Sequence, residues 1–217
     1  MARAERNLKA RIIGALPHAG RQKLYDAKDV YLWLRQRRAG SAPPSVKQRT
    51  VKSYGRRFGL RTLVETGTFQ GAMVAAALHS FDRIYSIELD RALAEAAKER
   101  FEGADHVSIL QGDSTHMLPQ VLYGLREPAL FWLDAHYSGG TTARGEVETP
   151  ILAEISAILE HPVEAHVILV DDAREFDGFG DYPSIETLCT HVTRLKARAA
   201  VQVRNDIIRI HTRDERR

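Results

Sequence analysis

The sequence predicts an α/β fold with a seven-stranded, mostly parallel sheet, helices on both faces, an antiparallel terminal strand and a helical N-terminal extension. Two observations support this prediction. From Arg61 onward, short apolar runs alternate with helical segments, which is the pattern of strand and crossover helix in a parallel sheet. Near the C-terminus, two further apolar runs flank residues 204–206, a connection too short for a crossover, which indicates a hairpin.

The predicted strands are short apolar runs bounded by polar or turn-forming residues. They cover residues 62–65, 83–88, 107–111, 129–133, 166–170, 200–203 and 207–211. Helices are predicted between the first five strands and before the hairpin. Residues 150–159 begin with a proline after Thr149, a plausible cap, and residues 184–195 follow Pro183 in a similar way.

The N-terminal segment is much more basic than the rest of the chain. Residues 1–61 hold 16 Lys and Arg against 3 Asp and Glu, a net charge of +13, while the remaining residues carry a net −10. We therefore predict a basic helical extension at residues 1–60 and one domain at residues 61–217. Such an arm can bind anionic lipid, nucleic acid or an acidic partner, and it can equally fold back onto the acidic domain.

Within the extension, helical periodicity predicts two helices in residues 5–38, broken near residues 16–20. Residues 39–44 form a linker, and a third helix covers residues 46–58, with Gly59 as its C-terminal cap.

Composition excludes several classes of protein. No apolar run approaches the 18 or so residues that span a bilayer, and the N-terminus lacks the apolar stretch of a secretory signal. The single cysteine, Cys189, excludes an internal disulfide and a cysteine-rich zinc site. We expect a cytoplasmic protein, with peripheral contact at the inner membrane surface through the basic arm as an open alternative.

A glycine turn follows the first predicted strand. Glu65 and Thr68 lie in this turn, with Gly67 and Gly71 in the spacing G-x-x-x-G. Gly67 permits a sharp turn and close approach of a ligand to the backbone. The G-x-G-x-x-G of dinucleotide sites and the lysine of a P-loop are missing, so a cofactor without phosphates fits better. These four residues are the first candidate cofactor contacts.

Polar residues also end the second and third predicted strands. Glu88 lies about 20 residues after the glycine turn, where it could accept hydrogen bonds from two ribose hydroxyls. After the third strand, Asp113 could accept the amino group of an adenine, and Ser114 turns the chain into the next helix. Each feature alone is also explained by turn or cap chemistry. Three successive strand ends in this order are more specific and indicate an adenosine-like cofactor.

The combination of the turn VETGTFQG at residues 64–71, Glu88, Asp113 and the terminal hairpin resembles the class I S-adenosylmethionine-dependent methyltransferases. The resemblance covers about residues 60–212 and implies a Rossmann-like fold with S-adenosylmethionine as the cofactor. The sequence departs from the family pattern at residues 68–70, where many members carry a further glycine.

Three aspartates follow the fourth and fifth strands. Asp134 ends the fourth strand, and Asp171 and Asp172 end the fifth. Ligands of open parallel sheets bind beyond the carboxyl ends of the strands, and three carboxylates that meet there need a compensating cation. We therefore predict a divalent metal, with magnesium favoured. In the alternative interpretation, Asp134 and Asp172 cap turns and Asp171 is solvated.

This arrangement resembles metal-dependent O-methyltransferases of the catechol and caffeoyl-coenzyme A type, and macrolide-sugar methyltransferases with a histidine near the fourth strand. The resemblance implies Asp134 as a catalytic metal ligand and His136 as the general base. Tyr137, at the start of a long loop over residues 137–148, and Arg174 are candidate acceptor contacts.

The longer string from LDAHYSGG through VDDAREFDG to DYPSIETL is similar to bacterial methyltransferase-like proteins of surface-polysaccharide and secondary-metabolite pathways. The similarity favours a hydroxyl of a sugar, glycolipid or secondary metabolite as the methyl acceptor. The similarity does not determine the oligomeric state, and a homo-oligomer is one of the alternatives.

Two other functions remain as alternatives. Glu88 would serve NAD equally well in a reductase or epimerase, but the glycine spacing disfavours this, and no tyrosine is followed four residues later by lysine. The other alternative is a non-catalytic protein that binds anions through the basic arm. Only a few aromatic residues lie among the charges of this arm, which disfavours nucleic acid as the ligand.

Overall fold

The computed structural model describes residues 18–36, 38, 40–134, 150–179 and 182–212. Its strands form one seven-stranded sheet in the order β3-β2-β1-β4-β5-β7-β6. The strands are β1 (Thr62–Thr66), β2 (Arg83–Glu88), β3 (Val107–Gln111), β4 (Ala129–Leu133), β5 (Val167–Val170), β6 (Ala199–Arg204) and β7 (Ile207–Thr212). The first five are parallel, and β7 runs antiparallel to both β5 and β6. The predicted α/β class, with its antiparallel end, is confirmed.

Helices lie between the strands and before the first of them. In the described residues they are α1 (His18–Arg35), α2 (Pro44–Phe58), α3 (Ala72–Ala77), α4 (Arg91–Arg100), α5 (Ser114–Gly124), α6 (Ile151–Leu159) and α7 (Ile185–Leu195), with a short 3-10 helix at Ala173–Glu175. None of the helices in these residues is long and apolar enough to cross a bilayer.

Strand order reverses between β1 and β4. From β1 the chain moves outward through β2 to β3, then returns to place β4 on the other side of β1. In sheets of this kind a crevice opens at the reversal, beyond the carboxyl ends of the strands. Thr66 pairs with Ile87 on one side and Leu133 on the other, so the three strands end at the same level. The residues that follow them are therefore neighbours.

Two apolar layers enclose the sheet. On one face, Val64 and Phe131 pack with α5, α6 and α7. On the other, Leu63 and Trp132 pack with α2 and α3, and Val51 of α2 is fully buried there. The alternation along β1 and β4 places successive side chains in opposite layers, as the strand period of two requires.

Sequence patterns located most element boundaries. β2, β3 and β4 begin and end at the predicted residues, and Gly59 caps α2 in a left-handed conformation, with φ 64°. The hairpin turn is formed by Asn205 and Asp206, whose φ angles of 55° and 58° suit a two-residue turn between antiparallel strands.

Some helix starts differ from the prediction. The helix α1 already begins at His18, inside the predicted break; the helix predicted before that break lies outside the described residues. Pro150 is the N-cap residue of α6 rather than its first helical residue. Ser184 caps α7 by accepting a hydrogen bond from the backbone amide of Thr187, which satisfies one of the amides at that helix start.

Candidate active site at the carboxyl end of the sheet

The site lies where β1, β2, β4 and β5 end. The backbone amide of Asp134 donates to the carbonyl of Thr66 at 3.1 Å, and the amide of Asp171 donates to that of Leu133 at 3.0 Å. These bonds extend the ladder by one step beyond the strands. The residues directly after the strands are thus held by backbone bonds, and their side chains start from one rigid edge.

The glycine turn after β1 is tied to the end of β2. Gly67, with φ 84°, donates its amide to the carbonyl of Ile87 at 2.9 Å, and Thr68 donates to the same carbonyl at 3.2 Å. Phe69 has a φ of 46°, which is uncommon for a residue other than glycine. The two hydrogen bonds to Ile87 therefore fix the start of the turn against the end of β2.

Glu88 fixes this turn from the neighbouring strand. Its Oε2 atom accepts from the amide of Phe69 at 2.7 Å and its Oε1 atom accepts from the amide of Asp90 at 2.9 Å. Each carboxylate oxygen can accept more than one hydrogen bond, so these contacts orient the group and leave it capable of accepting from hydroxyls. The predicted role of Glu88 as a ribose ligand stays a prediction.

Gly71 has a structural role that the sequence did not reveal. It is the N-cap residue of α3 with φ 70°, and an added Cβ would lie 2.7 Å from the ring of Phe101. Both the backbone conformation and the close packing of Phe101 require glycine here. Its role as a cofactor contact stays a prediction.

Asp113 and Ser114 begin α5. The Oδ1 atom of Asp113 accepts from the amide of Thr115 at 2.8 Å and from its hydroxyl at 2.6 Å, so this side chain caps the helix. The cap accounts for the aspartate by itself, and adenine recognition at this position stays a prediction. Ser114 is buried against α6 rather than open to solvent.

Glu65 lies in a buried polar layer beneath the turn. Its Oε2 atom accepts from the hydroxyl of Ser86 at 2.5 Å, and Ser86 in turn contacts the hydroxyl of Thr68 at 2.6 Å. Burial raises the pKa of Glu65 to about 8, and the nearby carboxylates of Asp134 and Glu88 act in the same direction. Glu65 is therefore mainly protonated at neutral pH and supports the turn from below.

Glu154 of α6 is a second buried acid, and the sequence analysis did not select it. Burial raises its pKa to about 7, although the hydroxyls of Ser114 and Thr66 face it and oppose the shift. Within the described part of the chain, neither of its carboxylate oxygens has a hydrogen bond of ordinary geometry. A signal was available, because Glu154 lies at helical spacing between Ile151 and Ile158, two residues of the buried face.

The structure brings the three predicted metal ligands together. One carboxylate oxygen from each of Asp134, Asp171 and Asp172 lies within 4.8 Å of the other two; we call these residues the three-aspartate site. Asp171 and Asp172 are buried and Asp134 is half-buried. Hard carboxylate oxygens in such a set suit magnesium, manganese or calcium.

Lys47, which the sequence analysis did not select, contributes a cation to this site. Its Nζ atom forms an ion pair with Oδ2 of Asp171 and lies 3.2 Å from Oδ1 of Asp172. Nothing in the sequence relates Lys47 to these residues, because the pairing depends on how α2 packs across the sheet. The hydroxyl of Ser41, before α2, also donates to Oδ1 of Asp172 at 3.3 Å.

The charges in this cluster shift one another's pKa values. Burial, together with Asp134 and Asp172, raises the pKa of Asp171, while Lys47 opposes the shift. For Asp172, burial is outweighed by the guanidinium of Arg174 and by Lys47, which lower its pKa. For Lys47, burial is outweighed by Asp171 and Asp172, which raise its pKa. The lysine is therefore charged when it lies in the cluster.

Arg174 connects the cluster to the C-terminal hairpin. Its Nη1 atom is 2.7 Å from Oδ1 of Asp172 and also pairs with Asp206 in the β6–β7 turn. The backbone amide of Arg174 donates to Oδ1 of Asp206 at 2.9 Å. Arg174 thus neutralises aspartates, while its predicted role in acceptor binding stays a prediction. His136 and Tyr137 lie outside the described residues.

Solved structures match this chain in fold, whereas comparisons of its sequence find no match. No family profile matches the sequence, and no curated protein matches it. A solved O-methyltransferase from Bacillus cereus in complex with S-adenosylhomocysteine superposes with a TM-score of 0.57 at 17% identity, over 77% of this chain and 81% of that one. TomG of Streptomyces achromogenes, an O-methyltransferase involved in tomaymycin synthesis and solved with S-adenosylmethionine, gives 0.55 at 17%, over 86% and 87%.

A methyltransferase of Podospora anserina bound to S-adenosylhomocysteine gives a TM-score of 0.55 at 18% identity, over 92% of this chain and 98% of that one. The chain has the class I methyltransferase fold. In this fold β1 lies beside β4, and β4 lies beside β5. The glycine turn, Glu88 and the three-aspartate site therefore border one crevice.

Proposed function

We propose that this protein is an S-adenosylmethionine-dependent O-methyltransferase that uses a divalent metal. The observation that carries the proposal is the position of the three-aspartate site at the same edge of the sheet as the turn anchored by Glu88. One group of residues can hold the cofactor, and the other can hold the acceptor. The turn follows β1 and Asp134 follows the adjacent β4, so the two bound molecules would lie next to each other, as a transfer between them requires.

The cofactor pocket consists of preorganised backbone and carboxylate groups. Gly67 and Thr68 bring the backbone close to the crevice, and Glu88 accepts hydrogen bonds from the ribose. Asp113 lies at the end of β3, where the adenine of such a cofactor would be placed. S-adenosylmethionine bound there would supply an electrophilic methyl group to an acceptor oxygen held beside it.

The donor set of the three-aspartate site fits a hard divalent ion such as magnesium. Asp134, Asp171 and Asp172 would hold it. The ion would supply positive charge at the acceptor oxygen. In the metal-free protein, Lys47 and Arg174 compensate part of the negative charge of the carboxylates.

The remaining candidate groups are His136 and Tyr137, which follow Asp134 in the sequence, and Arg174 of the 3-10 helix. His136, two residues beyond Asp134, would take the proton of the acceptor hydroxyl, since an imidazole with a pKa of about 6.5 suits a general base near neutral pH. Tyr137 would contact the acceptor. Arg174, already paired with Asp172 and Asp206, would contact an anionic group on it if one is present.

We infer that the acceptor is a hydroxyl of a sugar, glycolipid or secondary metabolite. The motif string from residue 133 to residue 188 supports this inference, and the likeness in fold to TomG agrees with a secondary metabolite. We expect the protein to act in the cytoplasm, and its basic N-terminal segment would bring it to an anionic membrane surface.

Calorimetry on the full-length protein tests the cofactor. We expect S-adenosylmethionine and S-adenosylhomocysteine to bind with micromolar affinity and NAD not to bind, because the glycine spacing lacks a pyrophosphate cradle. Binding of NAD without binding of S-adenosylmethionine would overturn the proposal. Transfer of a radioactive methyl group to a panel of sugars, glycolipids and phenolic metabolites would then identify the acceptor class.

A further inference from the structure

Lys47 reaches the three-aspartate site from a different layer of the fold. It belongs to α2, which packs on the sheet through Val51. Its side chain is only 16% exposed, and the side chain of Asp171 is 1% exposed. A lysine this enclosed has little freedom to point elsewhere while it pairs with Asp171, so the contact is part of the packing of α2 and not a surface ion pair.

The lysine occupies the space that a metal ion needs. An ion held by Asp171 and Asp172 would lie about 2 Å from one oxygen of each. The Nζ atom of Lys47 already pairs with Asp171 and lies 3.2 Å from an oxygen of Asp172. An ammonium and a divalent cation on the same oxygens would repel each other strongly at this distance, and the buried setting screens them little. The ammonium and the metal therefore compete for these two carboxylates.

We propose that Lys47 is a tethered counter-cation of the three-aspartate site, which holds the carboxylates together in the metal-free protein and leaves Asp171 when a divalent ion binds. This inference rests on the metal in the proposed function. Two effects follow from it. Lys47 prevents three uncompensated carboxylates from destabilising the fold, and it weakens the affinity for metal, because binding must first break the Lys47–Asp171 pair.

Metal affinity in a variant without the ammonium tests the competition. Manganese binding to the full-length protein, free of other metals, is measured by electron paramagnetic resonance in wild type and Lys47→Met. The methionine keeps an unbranched side chain of similar length without the charge. We expect Lys47→Met to bind manganese at least about tenfold more tightly, as expected when a competing ion pair is removed.

Matched variants separate competition from general charge. Lys52→Met removes the same charge from the same helix, and among the described residues Lys52 forms no ion pair with the three aspartates. It should leave manganese affinity within about twofold of wild type. Lys47→Arg keeps a cation in place and should not bind more tightly than wild type. Equal tightening in Lys47→Met and Lys52→Met, or none in Lys47→Met, would overturn the competition.

A second measurement uses the unaltered protein, so it does not depend on the folding of Lys47→Met. Lysine acylation followed by mass spectrometry reports how accessible each amine is. Magnesium should raise the labelling rate of Lys47 several-fold and leave that of Lys52 unchanged. Bound metal with unchanged labelling of Lys47 would overturn the displacement.

Calorimetry with S-adenosylmethionine on the same samples separates this inference from the proposed function. Intact cofactor binding without metal binding in wild type or Lys47→Met would overturn the counter-cation inference while S-adenosylmethionine-dependent transfer stands. Loss of cofactor binding in wild type would instead overturn the proposed function.

Discussion

The carboxylate of Glu88 accepts a hydrogen bond from the backbone amide of Phe69 at 2.7 Å, so an acid at the end of β2 shapes the turn after β1. The same carboxylate also accepts from the amide of Asp90. It therefore sets the backbone geometry of the crevice and, in the proposed function, holds the ribose.

Replacement of Glu88 should weaken cofactor binding. In Glu88→Gln one oxygen becomes an amide nitrogen, which cannot accept from a backbone amide or a ribose hydroxyl. We expect the affinity for S-adenosylmethionine to fall at least about tenfold, the loss typical of a hydrogen bond to a charged group. Calorimetry measures it. Glu95→Gln, on the exposed face of α4, is the control and should bind as wild type does; similar affinity in Glu88→Gln would remove Glu88 from the pocket.

Replacement of a metal ligand should separate turnover from cofactor binding. An amide is a much weaker ligand than a carboxylate, so Asp134→Asn should lower turnover at least about 100-fold. Affinity for S-adenosylmethionine should change by less than about threefold, since Asp134 is proposed to act on the acceptor side. Methyl transfer and calorimetry report the two effects, with the exposed Asp105→Asn as the control. Wild-type turnover that survives complete removal of divalent metals by a chelator would contradict the role of the metal.

The raised pKa of Glu65 should make stability depend on pH. The folded protein holds this proton more tightly than the unfolded chain, so the free energy of unfolding falls as pH rises between its ordinary value of 4.5 and about 8, and is then constant. Glu65→Gln is neutral throughout and lacks this fall. Between pH 5 and pH 8 its stability should gain at least about 1 kcal/mol relative to wild type.

Urea unfolding at several pH values measures this difference. Glu102→Gln, at an exposed position, should track wild type across the whole range. Parallel curves for wild type and Glu65→Gln would show that Glu65 is ionised in the folded protein.

Two glycines with the same backbone conformation should respond differently to alanine. Gly103, with φ 81°, has no atom within 4 Å of an added Cβ, whereas at Gly71 the ring of Phe101 lies 2.7 Å away. We expect Gly103→Ala to lower stability by about 1 kcal/mol through backbone strain alone. Gly71→Ala should lose at least about 1 kcal/mol more through overpacking.

Thermal unfolding compares the two variants. Phe101→Leu in the Gly71→Ala background should recover part of the additional loss, because it makes room for the methyl group. Equal losses in the two alanine variants would mean that Phe101 does not restrict this position.

The sequence predicted those parts of the molecule that depend on local pattern. The strands at Arg83–Glu88, Val107–Gln111 and Ala129–Leu133 are apolar runs with polar ends, and the structure places them at the predicted residues. Asp134 and Asp171 could be predicted to meet, because residues that follow parallel neighbours must lie at one edge. For these two residues, the topology of the sheet predicts proximity without any knowledge of side-chain contacts.

Contacts between layers could not be predicted in this way. Lys47 is separated from Asp171 by 124 residues, and only the packing of α2 on the sheet brings them together. The choice between cap and ligand at Asp113 also depends on the geometry around Thr115, which the residue type does not determine. Glu154 lies between these cases, since its helical spacing indicates burial but not which strand it faces.

The three-aspartate site is supported by the turn at Asn205 and Asp206, which the ribosome synthesises after the aspartates themselves. The carbonyl of Asp206 accepts from the amide of Ala173, and its carboxylate holds Arg174, the residue that pairs with Asp172. The hairpin leaves the ribosome after every other strand of the sheet. A nascent chain that has emerged only as far as the 3-10 helix at Ala173–Glu175 already contains all three aspartates and Lys47. It still lacks Asp206, which pairs with Arg174, so the contact of Arg174 with Asp172 gains this support only after the hairpin has been translated.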